Sequence, residues 1–330
     1  MMKRMPKVRL DSVIWHHDAA AEDSIPTGYL HSYTKAVLTA IQAQEGQVDP
    51  VWLAGASGIA FRIWIHHELC PSATSVFDWS LLSEGVKNAG WNCDYYSRLW
   101  HEVGVTRERQ EAAHDAIVKA LQAGRVPVCW DIDVPEWGGI IGYDDEVEEY
   151  SAISVLGKPA QLKYAQLGRR DIPIMSVTII KGPSNADRRQ AAVNSLRTAV
   201  KHAEQGEWLD RPAYQDGLAA YETWAAALEK LAQGGEQRML SYYSGTYLAA
   251  RYYARRYMGL VAGILGDDKQ LQSASHAYTE VVGHLTDIWR ILSKDGPRSS
   301  GELREAAGLL RKAKAAEKAA IERIKAYLGE

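Results

Sequence analysis

Most of the residue types that would betray a role at a glance are scarce in this chain. It has 2 phenylalanines and 3 cysteines, and neither sign of charge dominates: 38 Lys and Arg stand against 41 Asp and Glu, a formal net charge of −3. Near-balance removes the basic field that a nucleic-acid-binding surface needs, so no nucleic-acid partner is expected. Cys70, Cys93 and Cys129 are odd in number and lack metal-ligand spacing, which excludes a disulfide framework and fits a reducing, cytoplasmic setting. No stretch approaches the roughly 18 apolar residues that span a bilayer. Residues 1–10 are basic but lack the apolar run of a secretory signal, so neither membrane nor export is expected. Gly55-x-x-Gly58 is followed by no Lys-Ser/Thr pair and is too short for a phosphate loop; no cofactor is implied.

Aromatic residues with a polar handle are plentiful instead, at 11 Trp and 17 Tyr. Such rings suit interfaces and pockets as well as cores. The first half of the chain alternates between helical and strand patterns. Val13–Trp15 reads as a short strand, and Leu30, Tyr33, Val37, Ala40 and Ile41 recur at helical spacing in a helix starting near Pro26 or Gly28 and ending before Gly46. Val51–Ile65, apolar and broken by Gly55 and Gly58, reads as strand, tight turn and strand. Residues 80–89 and 107–122 read as helices; 126–134, 138–143, 153–155 and 174–180 read as strands, with Asp144-Asp145 at a turn. This order predicts an α+β domain over residues 1–182 with a mixed or antiparallel sheet.

From Ser184 the pattern is helical throughout. Ser184-Asn-Ala-Asp187 resembles a capping box, and Ser299-Ser-Gly-Glu302 carries a second helix-start signal. Five amphipathic helices are expected at 186–205, 215–233, 237–265, 269–293 and 300–328, making 183–330 a helical bundle. Leu218, Tyr221, Trp224, Leu228 and Leu231 form a core stripe in the second of them. The aromatics from Tyr242 to Tyr257 read as bundle core or as a subunit interface, the latter giving a homo-oligomer through the C-terminal helices.

Four segments of the first half carry a resemblance. They are Gly28-Tyr-Leu-His-Ser-Tyr-Thr-Lys-Ala-Val37, Ala54-Gly-Ala-Ser-Gly-Ile-Ala-Phe61, Ala120-Leu-Gln-Ala-Gly-Arg-Val-Pro-Val-Cys-Trp-Asp131 and Gly138-Gly-Ile-Ile-Gly-Tyr-Asp-Asp145. Together they resemble the papain-like N-terminal domain of the butirosin-biosynthesis acyltransferase family, itself related to bacteriocin-processing cysteine peptidases. Ala220-Tyr-Glu-Thr-Trp224 is similar to the helical tail often attached to such domains. The resemblance implies a papain-like fold, with a pocket between the first long helix and the strand that ends in Gly-Tyr-Asp-Asp.

It also implies a Cys nucleophile at a helix N-terminus, favoured as thiolate by the helix dipole and a His. Ser32 stands at the matching position. The family's His precedes the Gly-Tyr-Asp glycine by six residues, and counting back six from Gly142 reaches Glu136. Ser151–Gly157 offers no Asp or Asn as the third member. A hydroxyl is far less acidic than a thiol and needs a placed base, and a carboxylate is a weak one. His31, His16 or His17 could supply an imidazole to Ser32; His16, His17, His31, Asp131, Asp133 and Glu136 together could bind a metal, but their spacing matches no recognised ligand pattern, and no metal is expected. The candidate catalytic pair is therefore Ser32 and Glu136, with His31, Asp131, Asp133 and Tyr143 as candidate binding residues. Two functions follow from the resemblance: a catalytically degenerate papain-like protein that binds a small molecule or peptide in the retained cleft, favoured here, or an acyltransferase or amide hydrolase using Ser32. Outside this constellation, Cys70, after His66-His67, is a candidate relocated nucleophile whose ordinary reading is an inert thiol; Cys93 reads as packing and Cys129 as a buried strand residue.

Overall fold

The computed structural model describes residues 5–16, 25–99, 101–207 and 212–330. In the first part of the chain come β1 (Lys7–Arg9), α1 (Ser32–Glu45), α2 (Pro50–Ala56), β2 (Trp64–His66), α3 (Ser80–Asn88), β3 (Trp91–Arg98) and α4 (Arg107–Gln122). Then come β4 (Val128–Trp130), β5 (Trp137–Asp144), β6 (Glu149–Ile153), β7 (Pro159–Lys163) and β8 (Met175–Pro183). The rest is α5 (Arg188–Gln205), β9 (Tyr214–Asp216), α6 (Gly217–Leu231), α7 (Leu240–Leu265), α8 (Lys269–Leu292) and α9 (Ser300–Leu328). The fold is α+β, with an antiparallel sheet and a C-terminal helical region.

Two compact units emerge. The first holds the described residues of Met1–His17, Ser32–Asp49 and Trp79–Asn185; the second holds those of Asp18–His31, Pro50–Asp78 and Ala186–Glu330. The helical unit thus draws two segments from the first half, which a single boundary after residue 182 does not include.

In the α+β unit the sheet order is β3-β8-β4-β5-β6-β7, with β1 also paired to β5. Strand alternation assigns the two faces. Met175, Val177 and Ile179 of β8 join Ala113, Ile117 and Leu121 of α4 in one core. The intervening Thr178 and Ser176 bond instead to Tyr33 of α1 at 3.0 Å and to the Trp137 indole N–H at 3.2 Å. Helices α1 and α4 therefore cover opposite faces. The α1 face is aromatic: Trp137 packs against Tyr33, Trp79 and Trp130 with ring centroids 5.7, 4.7 and 4.4 Å away. Gly142 is required where β1 crosses β5, because a Cβ there would lie 2.7 Å from the Val8 carbonyl oxygen.

In the helical unit, α6, α7, α8 and α9 pack on one another, and Tyr221, Trp224 and Leu228 of the expected stripe are buried. Tyr243, Tyr247, Tyr252, Tyr253 and Tyr257 are at most 2% exposed, which makes them core of this chain. Segment 50–78 is tied in by polar bonds. Arg62 donates to both oxygens of Glu207, at 2.7 and 2.9 Å. The Glu207 carboxylate also accepts from His202 Nδ1 at 2.9 Å, and His202 Nε2 accepts from the Ile63 N–H at 2.9 Å. Strand β2 pairs with β9, and the Trp64 N–H donates to the Tyr247 hydroxyl, which donates back to the Trp64 carbonyl.

Several expected elements differ. The helices at 80–89 and 107–122 and the five C-terminal ones are present to within a few residues. Residues 13–15 form no strand; the N-terminal strand is β1, which finds its partner in β5. Helix α1 begins at Ser32 because Leu30, with φ −51° and ψ 142°, is extended. Val51–Ile65 is a helix, a 3-10 turn and a short strand, since Gly55 serves contact and not a turn: a Cβ there would lie 2.0 Å from the Tyr257 ring of α7. Gly55→Ala is accordingly expected to destabilise by about 1–3 kcal/mol in urea unfolding, the cost of overpacking. The strand expected over 126–134 stops at Trp130 because Asp131 and Asp133 take positive φ, 65° and 71°. The cap before α5 is Asp187, which accepts from the Arg189 N–H, and not a Ser184 box; the Ser299–Glu302 box is formed. Strands β3, β7 and β9 carry no clear signal in the pattern, and β9 interrupts what reads as purely helical sequence.

Candidate functional site

Ser32 opens α1, and the turn between β4 and β5 brings Glu136 to it. The Ser32 hydroxyl donates to Glu136 Oε2 and accepts the Trp137 backbone N–H at 3.2 Å. Ser32 is 5% exposed, so its oxygen is enclosed as well as bonded. The pair reached by counting along the sequence is therefore in direct contact. The contact runs from hydroxyl to carboxylate, with no described imidazole bonded to Ser32.

The two described histidines expected to act as bases are bonded elsewhere. His16 donates from Nδ1 to Gln42 Oε1 at 3.1 Å, beside the C-terminal half of α1. His17 lies outside the described residues. His31 belongs to the helical unit, where Nε2 donates to the Thr74 carbonyl at 2.8 Å and the ring lies 6.1 Å from Phe77. Burial, with the charge of Arg62, lowers its pKa to about 4 against the opposing hydrogen bond, so the ring is neutral at pH 7.

Lys35 is the residue that motif matching passed over. It sits one turn after Ser32 on the same face of α1, a placement its spacing already contained. It is 6% exposed, and its ammonium lies over the Trp15 ring, 5.5 Å from the centroid. Burial lowers its pKa to about 8, and the Glu136 carboxylate works against that shift.

Asp131 and Asp133 occupy the turn leading to Glu136, both in the left-handed region that β-carbon-bearing residues disfavour. Arg170 holds this turn through the Asp131 carbonyl at 2.8 Å, Asp131 Oδ1 at 3.1 Å and the Asp133 carbonyl at 3.4 Å. Burial raises the Asp131 carboxyl pKa, and Arg170 partly offsets it. Arg170, far away in sequence, carried no local signal. Tyr143 takes no part: it is 1% exposed, its hydroxyl donates to the Met5 carbonyl at 2.6 Å and accepts from Gln122 at 2.9 Å.

All three cysteines are free thiols. Burial pushes the Cys129 and Cys93 thiols up in pKa, away from thiolate. Cys70 is exposed and accepts a hydrogen bond from the Ser72 hydroxyl at 3.0 Å. Among the described residues no group of three or more His, Cys, Asp or Glu is arranged to hold a metal ion, and no helix is long and apolar enough to cross a membrane.

Ser32→Ala should lower stability by about 1–3 kcal/mol in denaturant titrations, because it strips the Glu136 carboxylate and the Trp137 amide of an enclosed partner. An unchanged midpoint would show that the hydroxyl does not hold the turn to α1. Comparison with known protein-family models and with curated proteins finds no match for this chain.

Proposed function

We propose that this protein is a catalytically silent relative of the papain-like acyltransferase domain, with a binding role for a small molecule or peptide at the N-terminus of α1. The observation that carries this reading is the state of the Ser32 hydroxyl. A serine nucleophile needs a base that takes its proton and a free path to the acyl carbon. Here the proton points at a carboxylate, the oxygen accepts a backbone amide, and the side chain is nearly enclosed. An ordinary carboxylate is too weak a base to ionise a hydroxyl near neutral pH.

The turn 131–136 supports the binding half of the proposal. Two left-handed aspartates pinned by Arg170 are costly backbone, of the kind retained where a loop must keep a set shape. Val134, between them and Glu136, is 37% exposed and gives that turn an apolar tip.

The test is binding without turnover. The full chain is screened by thermal shift against free amino acids, short peptides and acyl thioesters of N-acetylcysteamine, and any stabilising compound is re-extracted and weighed by mass spectrometry. Recovery of the compound unchanged is the expected result, with the shift reduced in Val134→Asp. Conversion of a thioester or peptide by wild type, lost in Ser32→Ala, would overturn it.

A further inference from the structure

Between β4 and β5 the chain reverses through Asp131-Ile-Asp-Val-Pro-Glu136, a segment with no glycine. The Glu136 carbonyl closes the reversal, accepting from the Asp131 N–H at 3.0 Å and the Ile132 N–H at 3.3 Å. Inside it the Val134 N–H donates to the Ile132 carbonyl at 2.9 Å, and the Glu136 N–H to the Val134 carbonyl at 2.6 Å. These bonds make two successive three-residue turns. Pro135, with its ring-fixed negative φ, suits the common form of such a turn. Asp133, with φ 71°, takes the rare and strained form. Asp131 adds a second positive φ, 65°. Glycine takes such conformations freely, and a residue with a β-carbon takes them at a cost.

A strained segment persists only while its surroundings hold it. Here the hold has two parts. Ile132 is buried in the core shared with α4 and anchors the turn from below. Arg170 clamps it from the side, taking the Asp131 carbonyl, the Asp131 carboxylate and the Asp133 carbonyl with one guanidinium. The anchor is enclosed, but the clamp is at the surface, with the Arg170 side chain 30% exposed. What the closed turn keeps in place is the contact described above: the Glu136 carboxylate on the Ser32 hydroxyl, and the Trp137 N–H on the same oxygen.

We propose that residues 131–136 form a strained latch over the N-terminus of α1, which Arg170 holds closed and whose release lifts Glu136 from Ser32. The latch regulates the site of the binding role argued above and rests on that reading for its purpose. A ligand that needs the open turn binds more weakly in proportion to how rarely the turn opens. Arg170 is a positioning residue, acting on Ser32 through the turn.

Hydrogen–deuterium exchange of the full chain, with no ligand present, tests the latch apart from what it admits. A peptide spanning 131–137 is the reporter, and peptides from α4 and β3 are the references. Arg170→Ala should speed exchange in the reporter about tenfold, as strain drives local opening, while the references keep their wild-type rates. Asp133→Gly keeps the carbonyl that Arg170 binds and removes the strain, so the reporter should exchange more slowly than in wild type. The double variant should return towards the wild-type rate. Reporter exchange that is unchanged in Arg170→Ala, or accelerated equally in every peptide, would overturn the proposal. So would an Asp133→Gly reporter no slower than wild type. A thermal-shift screen without a hit would remove the binding role and leave this exchange pattern as expected.

Discussion

Replacing Arg62 with alanine is expected to cost about 3–5 kcal/mol of stability, the penalty typical of breaking a buried ion pair from one side. The side chains of Arg62 and Glu207 are 5% and 4% exposed, and Arg62 reaches both carboxylate oxygens while its Nη1 donates to the Ser57 carbonyl at 3.0 Å. Burial alone would raise the Glu207 carboxyl pKa, but the hydrogen bonds and charge of Arg62, with those of His202, outweigh it and hold the group well below the usual carboxylate range. Without Arg62 that carboxylate remains enclosed beside His202 with its main counter-charge gone. Chemical denaturation of wild type, Arg62→Ala, Glu207→Ala and the double variant measures the loss as a cycle. The expected result is a double variant that loses much less than the sum of the singles. Additive losses would show that the pair is not coupled and that segment 50–78 is held by other contacts.

Acid should weaken the protein earlier than its carboxylates alone require, because His31 resists protonation. Its folded pKa is about 4, below the 6.5 of an exposed imidazole. Between those values the unfolded chain binds the proton that the folded chain excludes. Stability then rises with pH across that window, so it is complete above pH 6.5 and falls as pH drops towards 4. The contribution lost by pH 4 is about 3 kcal/mol for a shift of this size. His31→Gln keeps a donor for the Thr74 carbonyl and has nothing to titrate. The difference in stability between wild type and this variant should therefore shift by that amount between pH 7 and pH 4, against the wild type. A difference constant over this range would mean that the imidazole is accessible to protons in the folded state.

How far the fold could be read along the chain depended on how local each cause is. The helices from residue 188 onward follow from periodicity and caps within the elements themselves, as with Ser299 and Glu302 at the start of α9. Residues 50–65 misread because an apolar run buried on all sides has no period to distinguish helix from strand. Gly55, the apparent breaker there, answers to Tyr257 at the far end of the sequence. The assignment of 50–78 to the helical unit rests on the bonds of Arg62 to Glu207 and of Ile63 to His202, which no local pattern announces.

The site divides along the same line. Ser32 and Glu136 could be paired by counting positions along a resembled motif, and Lys35 by helical spacing from Ser32. Arg170, which fixes the turn over 131–136, could not, because its partners are backbone carbonyls remote in sequence. Adjacency in sequence is all that links His31 to Ser32. A residue at the start of a helix and its neighbour point in different directions, and the His31 ring is spent on Thr74.

The proposed silence of Ser32 as a nucleophile is open to covalent labelling. Wild type and Ser32→Ala are incubated with a fluorophosphonate probe near pH 8, where Lys35 is partly neutral, and adducts are mapped by peptide mass spectrometry. No adduct on Ser32, and equal labelling of the two proteins, is the result expected from a hydroxyl bonded to Glu136 and the Trp137 amide. A wild-type adduct on Ser32 that the substitution abolishes would contradict the account and return the protein to the acyl-transfer enzymes.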